Sequence, residues 1–168
     1  MSQPRLVRLS TTPDFLWCFM EGQASFLRER GFEVHAVSSP EKELQPFGER
    51  EGVPVHAVRM LRRISPLPDV VALARLWRLF RRLRPHIVHG STPKAGLLSM
   101  LAARLSGVPV RVYHVAGLRW STLDGLSRWL VKCSERIACS CAQLVICSSD
   151  SVRETLVERG ICAAEKAV

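Results

Sequence analysis

Apolar residues recur along this chain in two alternating rhythms. Short apolar, β-branched runs at Leu6–Ser10, Val34–Ser38, Val53–Val58, His86–His89, Val110–Val115 and Leu144–Cys147 read as strands. The last of these, Leu144-Val145-Ile146-Cys147, has no polar alternation and is expected to be buried on both faces. Between the runs, apolar residues return at helical spacing. The predicted buried stripes are Leu16, Phe19, Met20, Gln23 and Leu27, then Leu73, Leu76, Trp77, Phe80 and Leu83, then Leu98, Leu101, Ala102 and Leu105, then Leu126, Leu130, Cys133, Ile137 and Cys141. Ser151-Val152-Arg153-Glu154 fits a capping box, which starts a last helix near Ser151.

A repeated joint links the two rhythms. Arg30-Gly31-Phe32-Glu33-Val34, Glu51-Gly52-Val53-Pro54-Val55 and Ser106-Gly107-Val108-Pro109-Val110 each set a glycine between a helical and an extended segment, and Arg159-Gly160-Ile161 begins a fourth. Glycine ends a helix in the left-handed conformation at no steric cost. Strands alternating with helices build a parallel sheet covered on both sides, hence a doubly wound, Rossmann-like three-layer α/β domain. After Gly160 a further strand is due where the sequence stops at Val168, so the chain is expected to be one half of a longer protein.

Composition adds bounds. The 168 residues suit one domain, and 47% hydrophobic with 23% charged residues is globular. No apolar run approaches the roughly 18 residues of a membrane span, and the start lacks the apolar core of a signal peptide, so a cytoplasmic protein is expected. The six cysteines lack C-x-x-C spacing and predict neither disulfides nor a metal site. The net charge of +9 changes the picture more, because it favours anionic partners. It is concentrated in Arg59, Arg62, Arg63, Arg75, Arg78, Arg81, Arg82 and Arg84, opposed locally by Asp69. Arg75, Arg78 and Arg82 share one helix face, which reads either as facing an anionic membrane or as a solvated face. No nucleic-acid-binding motif accompanies the charge.

A doubly wound sheet binds ligands beyond the carboxyl ends of its strands. That rule selects Ser10-Thr11-Thr12-Pro13-Asp14, His89-Gly90-Ser91-Thr92-Pro93-Lys94, His114-Val115-Ala116-Gly117-Leu118-Arg119-Trp120 and Ser148-Ser149-Asp150-Ser151. Candidate binding residues are therefore Thr11, Thr12, His89, Ser91, Thr92, Lys94, Gly117, Arg119, Ser148 and Ser149. His114, at a strand end, is the candidate base or hydrogen-bond donor. Ser91 or Thr92 can cap the helix that Pro93 begins, and a capped start beside Lys94 can hold a phosphate or a sugar hydroxyl. Dinucleotide, P-loop and hydrolase-elbow motifs are missing, which argues against those three enzyme classes.

Leu27-Arg28-Glu29-Arg30-Gly31-Phe32-Glu33-Val34, Arg84-Pro85-His86-Ile87-Val88-His89, Thr92-Pro93-Lys94-Ala95-Gly96-Leu97-Leu98 and Ala102-Ala103-Arg104-Leu105-Ser106-Gly107-Val108-Pro109-Val110-Arg111 resemble the amino-terminal domain of family 4 glycosyltransferases, in particular bacterial surface-polysaccharide members. The resemblance implies one half of a GT-B fold, residues 1–168 being the acceptor-side domain and the donor domain lying elsewhere. It implies no cofactor, a nucleotide-diphosphate sugar as donor, and a glycan or polyprenyl-diphosphate-linked acceptor at the inner face of the plasma membrane. Two positions depart from the family pattern. Thr11-Thr12-Pro13 stands where many members carry a glycine pair, and Ala116 where many carry a histidine. His114 lies two residues earlier, on the same strand face, and takes the catalytic expectation. A docking module without catalysis and half of a sugar-nucleotide epimerase are the alternatives.

Overall fold

A computed structural model of the chain describes residues 3–168. Its elements run β1 (Arg5–Leu9), α1 (Pro13–Met20), α2 (Gln23–Glu29), β2 (Glu33–Ser38), α3 (Leu44–Glu51), β3 (Val55–Ala57), α4 (Pro66–Leu83), β4 (Ile87–Ser91), α5 (Pro93–Leu105), β5 (Val110–Val115), α6 (Gly125–Cys141), β6 (Leu144–Cys147) and α7 (Asp150–Glu158). The six strands form one parallel sheet in the order β3-β2-β1-β4-β5-β6. This is the doubly wound arrangement, and the order reverses between β1 and β4. The four joint glycines, Gly31, Gly52, Gly107 and Gly160, all have positive φ, as their place after a helix requires.

The two faces are finished differently. On one, α4, α5, α6 and α7 cover the whole sheet, burying Val7, Leu9, Val88, Tyr113, Val115 and Val145 against Leu76, Phe80, Leu98, Ala138 and Leu156. On the other, α1, α2 and α3 bury Leu6, Val34 and Ala36 against Leu16, Met20, Ala24 and Phe47. Over β4, β5 and β6 that second face is thinly covered: Ile87, His89, His114 and Ile146 are half-buried, and Val110 and Leu144 are exposed. The expected burial of β6 on both faces therefore holds on one face only.

All four expected stripes need correction, and on α5 it is Leu105 that is exposed. The Leu16–Leu27 stripe is two helices, broken at Gly22 (φ 73°), and Phe19 is exposed. The break is anchored by the Gly22 N–H, which donates to Glu51 Oε1 at 3.0 Å. Trp77 turns partly outward from α4, leaving Ala72, Leu76 and Phe80 as its buried line. Helix α6 is rotated from its predicted orientation. It buries Glu135, Ala138, Cys139 and Cys141, while Leu126, Leu130 and Ile137 of the expected stripe face outward with Trp129. The last helix is capped by Ser149, whose Oγ accepts from the Val152 N–H, in place of Ser151.

After Gly160, a 3-10 turn at Ala164–Lys166 precedes extended backbone beside β6. Ala167 makes a parallel bridge with Val145, and the Val168 N–H donates to the Val145 carbonyl at 3.0 Å. In place of a strand directly after the fourth joint, the chain makes this turn and a single bridge to β6.

Candidate functional site at the sheet switch point

The loops after β1 and β4 meet where the strand order reverses. Thr11 Oγ1 and Thr92 Oγ1 share a hydrogen bond of 2.7 Å, and the Thr11 N–H donates to the same Thr92 hydroxyl at 3.3 Å. Thr92 has φ 68° and ψ 147°, a conformation that costs a β-branched residue about 1–3 kcal/mol. The Thr92 side chain makes no cap bond to α5, so it is not the helix cap that its position suggested. Its strained backbone coincides with a hydroxyl directed at β1. The β1 loop keeps its shape without a glycine pair because neighbouring hydroxyls satisfy its carbonyls. Ser10 Oγ donates to the Thr12 carbonyl at 2.6 Å, and Ser39 Oγ donates to the Thr11 carbonyl at 2.7 Å. Thr12 Oγ1 lies 3.4 Å from Arg62 Nη2.

Behind this clasp a row of basic side chains crosses the thinly covered face. Arg8 of β1 is paired in register with His89 of β4, and His114 of β5 is paired with Ser91 of β4, so all four point the same way. Arg8 Nη1 contacts His89 Nδ1. The His89 and His114 rings sit edge to face at 6.1 Å, and Phe15 of α1 approaches His114 at 6.3 Å. Burial, reinforced by the Arg8 charge, pushes the His89 pKa down to about 2, and the same two causes lower His114. Both imidazoles are neutral near pH 7. Arg8 is lowered by burial only to about 10, so it keeps its charge. Arg8 Nε, His89 Nε2 and Ser91 Oγ are buried without a hydrogen-bond partner.

The other candidate residues do not join this row. Lys94 is drawn away to Asp69, whose carboxylate oxygens lie 2.7 and 2.8 Å from Nζ, and it also contacts the Arg63 carbonyl. Lys94, Asp69 and Arg119 line a separate cavity of about 520 Å³ between α4, α5 and α6, with Arg62, Leu97 and Leu130. Exposed Ile64, Leu67, Val70 and Val71 on or before α4, and Leu126, Trp129 and Leu130 on α6, lie on these same elements. Gly117 has no positive φ, and a Cβ there would meet nothing within 4 Å. Gly90 instead serves packing, because its Cβ would fall 2.1 Å from Ser99 Oγ of α5. Ser148 is exposed, and Ser149 bonds Ser151 and the start of α7. Arg75, Arg78 and Arg82 lie along a groove with His56 beside β3, at the opposite edge of the sheet from β6.

Sequence reasoning missed Arg8. An arginine in the middle of an apolar run reads as one polar residue of a strand, and only the register places it against His89. It also missed Glu135, which is buried on α6 and accepts a 3.0 Å hydrogen bond from the Tyr113 hydroxyl. Burial raises its carboxyl to about 7.

Comparisons with known proteins agree with this architecture. Residues 19–168 match the family model described as a glycosyl transferase 4-like domain. The chain is 35% identical over 147 residues to the capsular polysaccharide biosynthesis glycosyltransferase CapM of Staphylococcus aureus, covering 88% of this chain and 38% of that protein. It is 33% identical over 100 residues to the UDP-Gal:alpha-D-GlcNAc-diphosphoundecaprenol alpha-1,3-galactosyltransferase of Escherichia coli, covering 59% of this chain and 26% of that one. The chain thus spans well under half the length of these relatives. Among solved structures, MurG of Acinetobacter baumannii superposes with a TM-score of 0.69 at 15% identity, over 98% of this chain and 44% of the other. The UDP-GlcNAc 2-epimerase of Neisseria meningitidis gives 0.67 at 15%, over 98% and 46%. These two show a shared fold. With the family match covering most of the chain and the fold agreeing throughout, the chain belongs to the family 4-like glycosyltransferase domains.

Proposed function

We propose that this chain is the acceptor-side half of a glycosyltransferase that moves a sugar from a nucleotide diphosphate to a lipid-linked glycan in surface-polysaccharide synthesis. The observation that carries the reading is the 35% identity to CapM over 88% of this chain. The switch-point clasp of Thr11 and Thr92, with His89, Ser91 and His114 beside it, supplies hydroxyls and neutral imidazoles suited to sugar hydroxyls. In this reading His114 hydrogen-bonds the acceptor as a neutral imidazole, and residues 1–168 work with a donor-binding domain outside this chain. The printed activity of the Escherichia coli relative, on a diphosphoundecaprenol-linked sugar, supports the lipid-linked acceptor.

A membrane contact fits the same reading, and exposed apolar side chains support it. Leu67, Val70 and Val71 of α4 and Leu126, Trp129 and Leu130 of α6 flank a cavity that also presents Arg62, Arg63 and Arg119. Arg75, Arg78 and Arg82 offer charge without comparable apolar surface. Among the described residues no helix is long and apolar enough to cross a membrane.

The test is sugar transfer. A longer protein carrying this chain and a donor-binding domain is expected to transfer radiolabelled sugar from a nucleotide-sugar to a polyprenyl-diphosphate glycan, and this chain alone to transfer none. Turnover by the chain alone would refute the division of labour. Reversible epimerisation of the nucleotide-sugar without transfer would favour an epimerase half instead.

A further inference from the structure

The row at the switch point contains a charge without a counter-charge. Arg8 is 6% exposed and lies within the sheet, yet none of the ion pairs among the described residues includes it. Its guanidinium contact is with His89, whose ring is neutral. A buried charge left unpaired is costly, and proteins ordinarily keep one only with a carboxylate, a metal or a ligand beside it. Other buried groups of this chain escape the cost: the imidazoles lose a proton and Glu135 gains one. An arginine has no such route near neutral pH.

Three orphaned polar atoms accompany the charge. Arg8 Nε, His89 Nε2 and Ser91 Oγ are buried on one face with no partner. Two of them are nitrogens and one is a hydroxyl, so as a set they can donate to an acceptor-rich anion. Their row ends at His114, which is half-buried. The position, between the strands where the order reverses, is where doubly wound sheets hold ligands. We infer that Arg8, His89, Ser91 and His114 form a binding site for a phosphate-ester anion, with the Arg8 guanidinium as its counter-charge.

The inference deepens the acceptor-side reading, because a lipid-linked glycan carries a diphosphate. An arginine fork meets phosphate oxygens in pairs. Lys94, the residue that the sequence offers for this task, is already neutralised by Asp69. The same chemistry suits a nucleotide diphosphate or free phosphate, and the experiment separates these sources.

Inorganic pyrophosphate, farnesyl diphosphate and uridine diphosphate are titrated separately into the 168-residue chain and into Arg8→Met. Binding is read by calorimetry and by the imidazole resonances of His89 and His114, and folding by circular dichroism and thermal melting. Wild type is expected to bind pyrophosphate with both imidazole signals shifting, and R8M to bind about tenfold or more weakly while melting at the same or a higher temperature. Farnesyl diphosphate binding that depends on Arg8 assigns the anion to the carrier lipid, and uridine diphosphate binding that depends on Arg8 assigns it to the nucleotide. Equal binding by wild type and R8M, or no binding of any of the three to wild type, overturns the inference. Should R8M fail to fold, Arg8→Lys, which keeps a charge but loses the planar fork, is expected to fold and bind several-fold more weakly. Sugar transfer by the longer protein is measured independently. Transfer with both the acceptor KM and the nucleotide-sugar KM unchanged in R8M would overturn this site and leave the acceptor-side reading standing.

Discussion

The two faces of this sheet bury opposite chemistries. The thinly covered face holds Arg8, His89 and His114, and the face under α4–α7 holds Glu135 against Tyr113. Burial acts in one sense on both, towards the uncharged form: the imidazoles go down and the carboxyl goes up to about 7. The difference lies in what each face can finish. On the acid face Glu135 becomes neutral and accepts from Tyr113, although its Oε2 and Trp120 Nε1 are buried without a partner, whereas the basic face keeps a guanidinium that burial cannot neutralise. A buried group that sheds its charge on folding is structural. A buried charge that the fold leaves without a counter-charge marks the place for a ligand.

The strongest way to break this contrast is to disturb the closure of the acid face. A Cβ on Gly96 of α5 would fall 2.1 Å from Tyr113 Cε2 and 2.6 Å from Cδ2. Gly96→Ala is expected to cost about 3 kcal/mol in urea unfolding, the upper end for overpacking. Val110→Ala, on the half-exposed opposite face, is expected to cost under about 1 kcal/mol. Equal losses at the two sites would show that the basic face is as tightly closed as the acid face.

Next in size is the acid itself. The ordinary carboxyl value near 4.5 rises to about 7 at Glu135, so the folded chain holds a proton that the unfolded chain releases. The stability from this proton is complete below about pH 4.5 and is lost as pH rises towards about 7. Glu135→Gln keeps an acceptor for Tyr113 and needs no proton. It is expected to raise stability by about 2–3 kcal/mol near pH 8 and to change it little near pH 4.5. A gain that is the same at both pH values would place the effect in packing.

The basic face gives the opposite slope. His89 is held near 2 against an ordinary value of 6.5, so below about pH 6.5 the unfolded chain takes up a proton that the folded chain refuses. Stability falls as pH drops through that window, by about 2 kcal/mol between pH 6.5 and 5 at about 1.4 kcal/mol per pH unit. His89→Gln is expected to flatten most of that fall in urea titrations. A slope unchanged in the variant would mean that other groups carry it.

Most of the architecture was legible because it rests on local rules. The glycine joints and apolar runs set six strands and a doubly wound sheet, while the fourth joint is followed by a 3-10 turn and a single bridge at Ala167. What failed to show was three-dimensional register. Periodicity found the apolar stripe of α6 but could not say which way it faces, since Glu135 takes the buried side through Tyr113 and the apolar residues remain outside. The site was half legible for the same reason. The loops at strand ends follow from topology, so Thr11, Thr92, His89 and His114 came together as expected. Whether a cation is neutralised depends on a residue far along the chain, as with Lys94 and Asp69, or on the lack of one, as with Arg8.

The smallest expected effect lies at Thr92, where the two loops are clasped above the basic face. Its hydroxyl holds Thr11 through two contacts, and its backbone sits in a region suited to glycine. Thr92→Val keeps the strained backbone and removes the hydroxyl, so it should cost about 1–2 kcal/mol. Thr92→Gly also loses the hydroxyl, but it relieves about 1–3 kcal/mol of strain while adding up to about 1 kcal/mol of unfolded-chain entropy. These terms offset, and the net change in urea unfolding should be within about 1 kcal/mol. If the glycine variant matches the wild type in stability but binds pyrophosphate less tightly, the strain serves to aim the hydroxyl over the basic row. If the valine and glycine variants are equally destabilised, the backbone at Thr92 stores no strain, and the clasp belongs to the fold as Glu135 and Tyr113 do.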